Sequence, residues 1–260
     1  MTNSWLTLYW RMRCDLYKFT QSGVGLFIDM VLPTATIVTI WGYVMPELGL
    51  PVTFGGFVLL GFLVLSCAAI PYWDFGARTM MDLNGERVID YELTLPLSAT
   101  QVFLRHVFTW FIQVSLVTSL NLVLGKLLLW DRFDLSEISI PKYLLFYVLM
   151  NLCFSCIAGI SSFKFHNFDS LGRFWGRLGF QLIYLGGMLF PYIIVQKNIP
   201  WLSYALLLNP FTYVYEGLRG AVLGPVGFMN YWLCAGMVVG FIVTFAFIGY
   251  RCFRTRLDCV

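Results

Sequence analysis

Charge is what this sequence has least of. Asp, Glu, Lys and Arg make up 12% of its 260 residues while hydrophobic residues make up 59%; soluble domains carry about 25% charged residues. That balance excludes a large soluble domain, because no charged stretch is long enough to build one, and it points to a polytopic membrane protein. No Lys/Arg run and no acidic tail suggests nucleic-acid binding. The only histidines, His106 and His166, do not form a ligand pair. Seven cysteines, at 14, 67, 153, 156, 234, 252 and 259, lack the spacing of a disulfide framework. Cys153 and Cys156 form a CxxC inside an apolar run with no second Cys or His pair near it, which reads as packing. There is no G-x-x-x-x-G-K-[ST], H-E-x-x-H or G-x-S-x-G. The chain therefore has no P-loop of its own, and no catalytic, metal or cofactor-binding residue is expected.

What is present in quantity is apolar sequence. A helix needs about 20 apolar residues to cross the hydrocarbon, and six segments qualify: 24–45, 52–73, 107–130, 143–163, 178–195 and 231–250. The fifth is the shortest and is closed by Pro191. With these spans alternating in direction, twelve of the 17 Lys and Arg fall on the side of the N-terminus and five on the other. The positive-inside rule then puts both termini in the cytoplasm. Trp41, Trp130 and Trp201 mark the outer interface and Trp73 and Trp175 the inner one, consistent with aromatic belts. Ahead of the first span, residues 4–20 place Trp5, Leu8, Met12, Leu16 and Phe19 at helical spacing, with Arg11, Asp15 and Lys18 on another face. That pattern predicts an amphipathic helix lying in the cytoplasmic interface.

Two segments are not spans. The connection 74–100 is the longest on the cytoplasmic side. Arg78 and Asp82, and Asp82 and Glu86, stand at i,i+4, which predicts a short helix interrupted at Asn84-Gly85. It reads either as a solvated loop or as a docking surface. On the outer side, 201–208 and 211–224 are apolar but too short to cross, and Asn209-Pro210 between them has the form of an N-cap and first helical residue. A re-entrant helical hairpin over 200–224 is the simplest structure, with a surface hairpin as the alternative; backbone can turn at membrane depth only against protein or water. Glu216 and Arg219, at i,i+3, are placed to pair on one face. Within the first span, Asp29 is an intramembrane acid near enough to the cytoplasmic end to meet water or Arg177, a position that favours a structural role over a proton relay.

The order of these parts resembles the membrane subunit of type 2 ABC exporters, the permease family of drug, lipo-oligosaccharide and polysaccharide export. The resemblance covers nearly the whole chain. It rests on the interfacial helix, six spans, the loop sequence ERVIDYELTLPLSATQVFLRHV (86–107) with its L-x-x-P-L-S (Leu93, Pro96, Leu97, Ser98), and the hairpin LNPFTYVYEGLRGAVLG (208–224). It implies an all-α permease of the bacterial inner membrane, working as a homodimer, or paired with a relative, with two copies of a cytoplasmic ABC ATPase that binds the ATP. Arg78, Asp82, Glu86, Arg87, Arg11 and Arg13 would couple to the ATPase. Asn209, Pro210, Tyr213, Glu216 and Arg219 would form an outer gate. The loop sequence is closer to the drug and lipo-oligosaccharide branch, so an amphipathic or lipid-linked small molecule is the expected substrate. A polysaccharide or glycoconjugate is the alternative within the family, and an integral-membrane enzyme or ATP-independent carrier the alternative outside it. The abundant aromatics fit either a pathway wall or lipid anchoring.

Overall fold

The computed structural model describes residues 2–81, 88–165 and 167–257, and all secondary structure among them is helical. Five helical stretches are long and apolar enough to cross a membrane: Gly23–Glu47, Phe54–Met81, Ala99–Arg132, Ile140–Lys164 and Tyr231–Leu257. The chain is thus an all-helical protein built to lie in a bilayer. Four of the expected spans are recovered with shifted ends, together with the last.

The first difference is at the start. Helix α1 (Thr2–Thr39) is one unbroken helix, not an interfacial helix followed by a separate span. The stretch Thr20-Gln21-Ser22-Gly23 breaks the hydrophobic pattern but offers no proline and no capping geometry, so helical hydrogen bonding runs through it. Pro33 sits inside α1 and cannot donate to the Asp29 carbonyl.

Helix α2 (Phe54–Ile70) is the centre of the bundle, with most of its residues buried, whereas most of the α1 span is not. After α3 (Ala77–Met81) and α4 (Val88–Thr94), helix α5 (Ala99–Thr118) starts eight residues before the expected boundary at 107. The reason is local. The Ser98 hydroxyl accepts from the Gln101 amide and the Gln101 side chain accepts from the Ser98 amide at 2.9 Å, a capping box that fixes the start. The L-x-x-P-L-S motif is therefore a turn and a cap. Helix α6 (Asn121–Leu129) continues the same pass, and α7 (Ile140–Lys164) returns.

The fifth expected span, 178–195, is not one helix. Instead α8 (Phe168–Phe174), a π-helical turn at Trp175–Gly179 and α9 (Phe180–Leu185) form a single run that stops at Gly186. Gly187 adopts φ +107, a conformation that favours glycine, and Pro191 then caps α10 (Tyr192–Asn198). α11 (Pro200–Leu206), α12 (Pro210–Val222) and α13 (Tyr231–Leu257) complete the chain.

Helices α7 and α13 run parallel. At one end, here the distal end, the Tyr231 hydroxyl donates to the Lys142 carbonyl; at the proximal end Arg256 donates to the Phe165 carbonyl. The chain between them must therefore travel the length of the bundle, and 168–188 does so. Leu171 and Trp175 pack on Tyr72 at the proximal end of α2, while Gly187 and Met188 reach Arg219 beside Phe57 at its distal end. This run buries Leu171, Trp175, Gly179 and Ile183 on one stripe and exposes Arg173, Arg177 and Gln181.

Candidate functional site

The bundle carries two buried constellations of charge, one at each end. The proximal one joins α1, α4 and α5. Because the turn at Leu95–Ser98 folds α4 back onto α5, Glu92 is brought against Arg105. Arg105 Nη2 lies 2.5 Å from Glu92 Oε2, and its Nη1 bonds the carboxylate of Asp15 on α1. Arg11, one turn before Asp15, donates to Glu92 Oε1 at 2.5 Å. His106 Nε2 stands 3.0 Å from Arg105 Nη2 and 3.6 Å from Glu92. Glu92 and Arg105 are 1% and 3% exposed. Carboxylates in such burial survive only when paired and hydrogen-bonded. Burial works to raise the Glu92 carboxyl, and the hydrogen bonds and charges of His106, Arg105 and Arg11 reverse it and hold it down at about 2.

These groups line a cavity of about 350 Å³ together with Lys18, Arg78, Thr109 and Gln113. Of the residues expected to couple to a motor, Arg11 and Arg78 meet here. Arg13 does not: it is exposed, with its guanidinium 5.1 Å from the Trp10 ring. Asp82, Glu86 and Arg87 lie outside the described residues. Glu92, Arg105 and His106, the centre of the constellation, carried no expected role. The signal for them was a charge pair spaced across a Pro-x-Ser turn, which the capping box converts into a back-folded contact.

The distal constellation is the hairpin of α11 and α12. Asn209 caps α12 by accepting from the Phe211 amide at 3.0 Å and donates 2.6 Å to the Leu182 carbonyl. Pro210 follows as the first helical residue. Leu182 lies three residues before the end of its helix run, and Phe211 stacks at 5.1 Å on Phe154, near the middle of α7. The start of α12 is thereby packed against both the 168–185 run and α7. Tyr213 is buried and its hydroxyl donates to the Leu207 carbonyl.

Glu216 and Arg219 are both buried, but they do not form the ion pair that their spacing suggested. Glu216 accepts from the backbone amides of Tyr192 and Met229, at 2.8 and 3.0 Å. Arg219 donates to the carbonyls of Gly187 and Met188, at 2.5 and 2.6 Å, and stacks 3.5 Å over the Phe57 ring. The physical reason is the break at 186–191: ending a helix inside the bundle strands carbonyls and amides, and these two side chains satisfy them. Gly61 permits the approach, since a Cβ there would stand 2.6 Å from the Met188 carbonyl oxygen.

Among the described residues no group of His, Cys, Asp and Glu has metal-binding geometry. Cys153 and Cys156 are free and buried, as packing residues. Chemically, the proximal site can transmit force between helices and the distal site can hold the interrupted backbone at 186–191 in register. No protein-family model matches the chain, and no curated protein matches it in sequence.

Proposed function

We propose that this chain is the permease subunit of a type 2 ABC exporter, acting as a homodimer in a bacterial inner membrane with both termini in the cytoplasm. Two copies of a separate cytoplasmic ABC ATPase would supply the energy. The proximal junction supports this reading best. A motor pressing on the segment 74–100 and on the N-terminal half of α1 would act on elements that Glu92, Arg105, Arg11 and Asp15 already tie to two spans. In this reading 168–188 is the sixth pass, α11–α12 is a re-entrant hairpin at the outer face, and Glu216 and Arg219 hold the gate's frame. The substrate is an amphipathic or lipid-linked small molecule.

The test is copurification. The tagged chain should bring down an ABC ATPase, and the reconstituted complex should hydrolyse ATP in step with transport. Arg78→Glu should leave hydrolysis running while transport falls. Transport or catalysis by the purified chain alone, with no ATPase, would overturn the reading in favour of a carrier or membrane enzyme.

A further inference from the structure

Asp29 and Arg177 are charges that the fold of one chain leaves unmatched. Asp29 lies in the apolar α1 span and is exposed; Arg177 is exposed on the run 168–185. Neither makes an ion pair or side-chain hydrogen bond among the described residues. A carboxylate on the outside of an apolar membrane helix is costly, and its short side chain cannot reach far toward water. Pro33 adds to the demand, because the Asp29 carbonyl loses its usual helical donor on the same exposed side.

Their depths match. Cys67 of α2 and Thr118 of α5 are level, with sulfur and hydroxyl 3.4 Å apart. Thr34 bonds Asn121 at 2.9 Å, three residues distal to Thr118. Asp29, five residues proximal to Thr34, then lies about 3 Å proximal to the Cys67 level at ~1.5 Å per residue. Trp175 rests on Tyr72, its ring centre 4.3 Å away, five residues proximal to Cys67. Arg177, two residues further in, lies about 4.5 Å proximal to the same level. The two groups therefore share one depth, within about one helical turn (~5.4 Å). Their faces are also open to close approach: a Cβ at Gly25, Gly172 or Gly176 would meet nothing within 4 Å, and small residues let membrane helices pack closely.

We infer that two copies of this chain associate with Asp29 of α1 against Arg177 of the partner subunit. A two-fold axis makes the contact twice, because an isologous interface places each residue against the other's complement. The guanidinium can take both the Asp29 carboxylate and the carbonyl that Pro33 releases. This rests on the homodimer in the reading above and not on the ATPase.

The experiment is a charge swap on the full chain in mild detergent, with dimer dissociation measured by mass photometry. Asp29→Lys and Arg177→Glu are each expected to weaken the dimer about tenfold, and the double swap to restore it. Both sites are exposed in the single chain, and unfolding temperatures of the variants provide the control for folding. As a second measurement, Asp29→Cys with Arg177→Cys, in a Cys14→Ser background, should give an oxidised covalent dimer. A wild-type dimer indifferent to either reversal, or a double swap no better than the singles, overturns the ion pair while leaving the dimer standing. Covalent dimers absent on oxidation also overturn it. A monomeric wild type removes the dimer itself, and copurification of an ATPase remains a separate result.

Discussion

The two ends of the bundle solve the same problem by different means. At the proximal end, buried Glu92 and Arg105 meet each other and half-buried partners from α1, Asp15 on Arg105 and Arg11 on Glu92. At the distal end, a buried acid and a buried arginine sit one turn apart without forming an ion pair, Glu216 taking amides and Arg219 taking carbonyls. The first arrangement joins separate helices and can be altered by moving one of them. The second repairs a gap in the backbone, so it has no alternative partner to move to. The comparison locates rigidity at the distal hairpin and adjustable coupling at the proximal junction.

The sharpest way to break it is Arg219→Met. Two carbonyls lose their donors, at about 1–3 kcal/mol each, and Lys cannot restore them because a single ammonium lacks the guanidinium fork. Thermal unfolding in detergent should show a large loss for both Arg219→Met and Arg219→Lys; near-native stability of the lysine variant would remove the distinction drawn here. Next in size is Glu92→Gln, expected to cost about 1.5–3 kcal/mol because Arg105 keeps Asp15 as a partner. Its pH signature has a definite sign. The folded carboxyl is held at about 2, below its ordinary 4.5, so its stabilisation is complete above about pH 4.5 and lost as pH falls toward 2. Unfolding followed across that window should slope in the wild type and flatten in Glu92→Gln. The smallest effect belongs to Ser98→Ala, which removes the α5 cap at about 1 kcal/mol. The same change should lower the protection of the first α5 amides from hydrogen exchange.

Much of the fold was legible because apolar length is a local property. Five of six expected spans appear with ends displaced by up to eight residues, and Asn209-Pro210 does start a helix. The fifth expected span is not one helix, because Gly186-Gly187 ends it, and the helix run there begins ten residues earlier with Asp169, Arg173 and Arg177 on it. The site was less legible. Arg11 was singled out for its position and Arg78 for its loop, yet the residues that organise the junction were not, since Glu92 and Arg105 matter only once the Ser98 cap turns α4 back.

The sequence by itself determined that this chain is built for a bilayer, which five of its apolar segments form long helices, and where some of them begin. Those follow from the hydrophobic effect and from short-range capping, which act within a few residues. Only the tertiary structure decided who satisfies whom. Glu216 and Arg219 were one turn apart in sequence and bound different strands of backbone, while Glu92 found Arg11 from another helix altogether. A buried charge takes whatever donor or acceptor the packing strands beside it, and that is settled by contacts between distant segments.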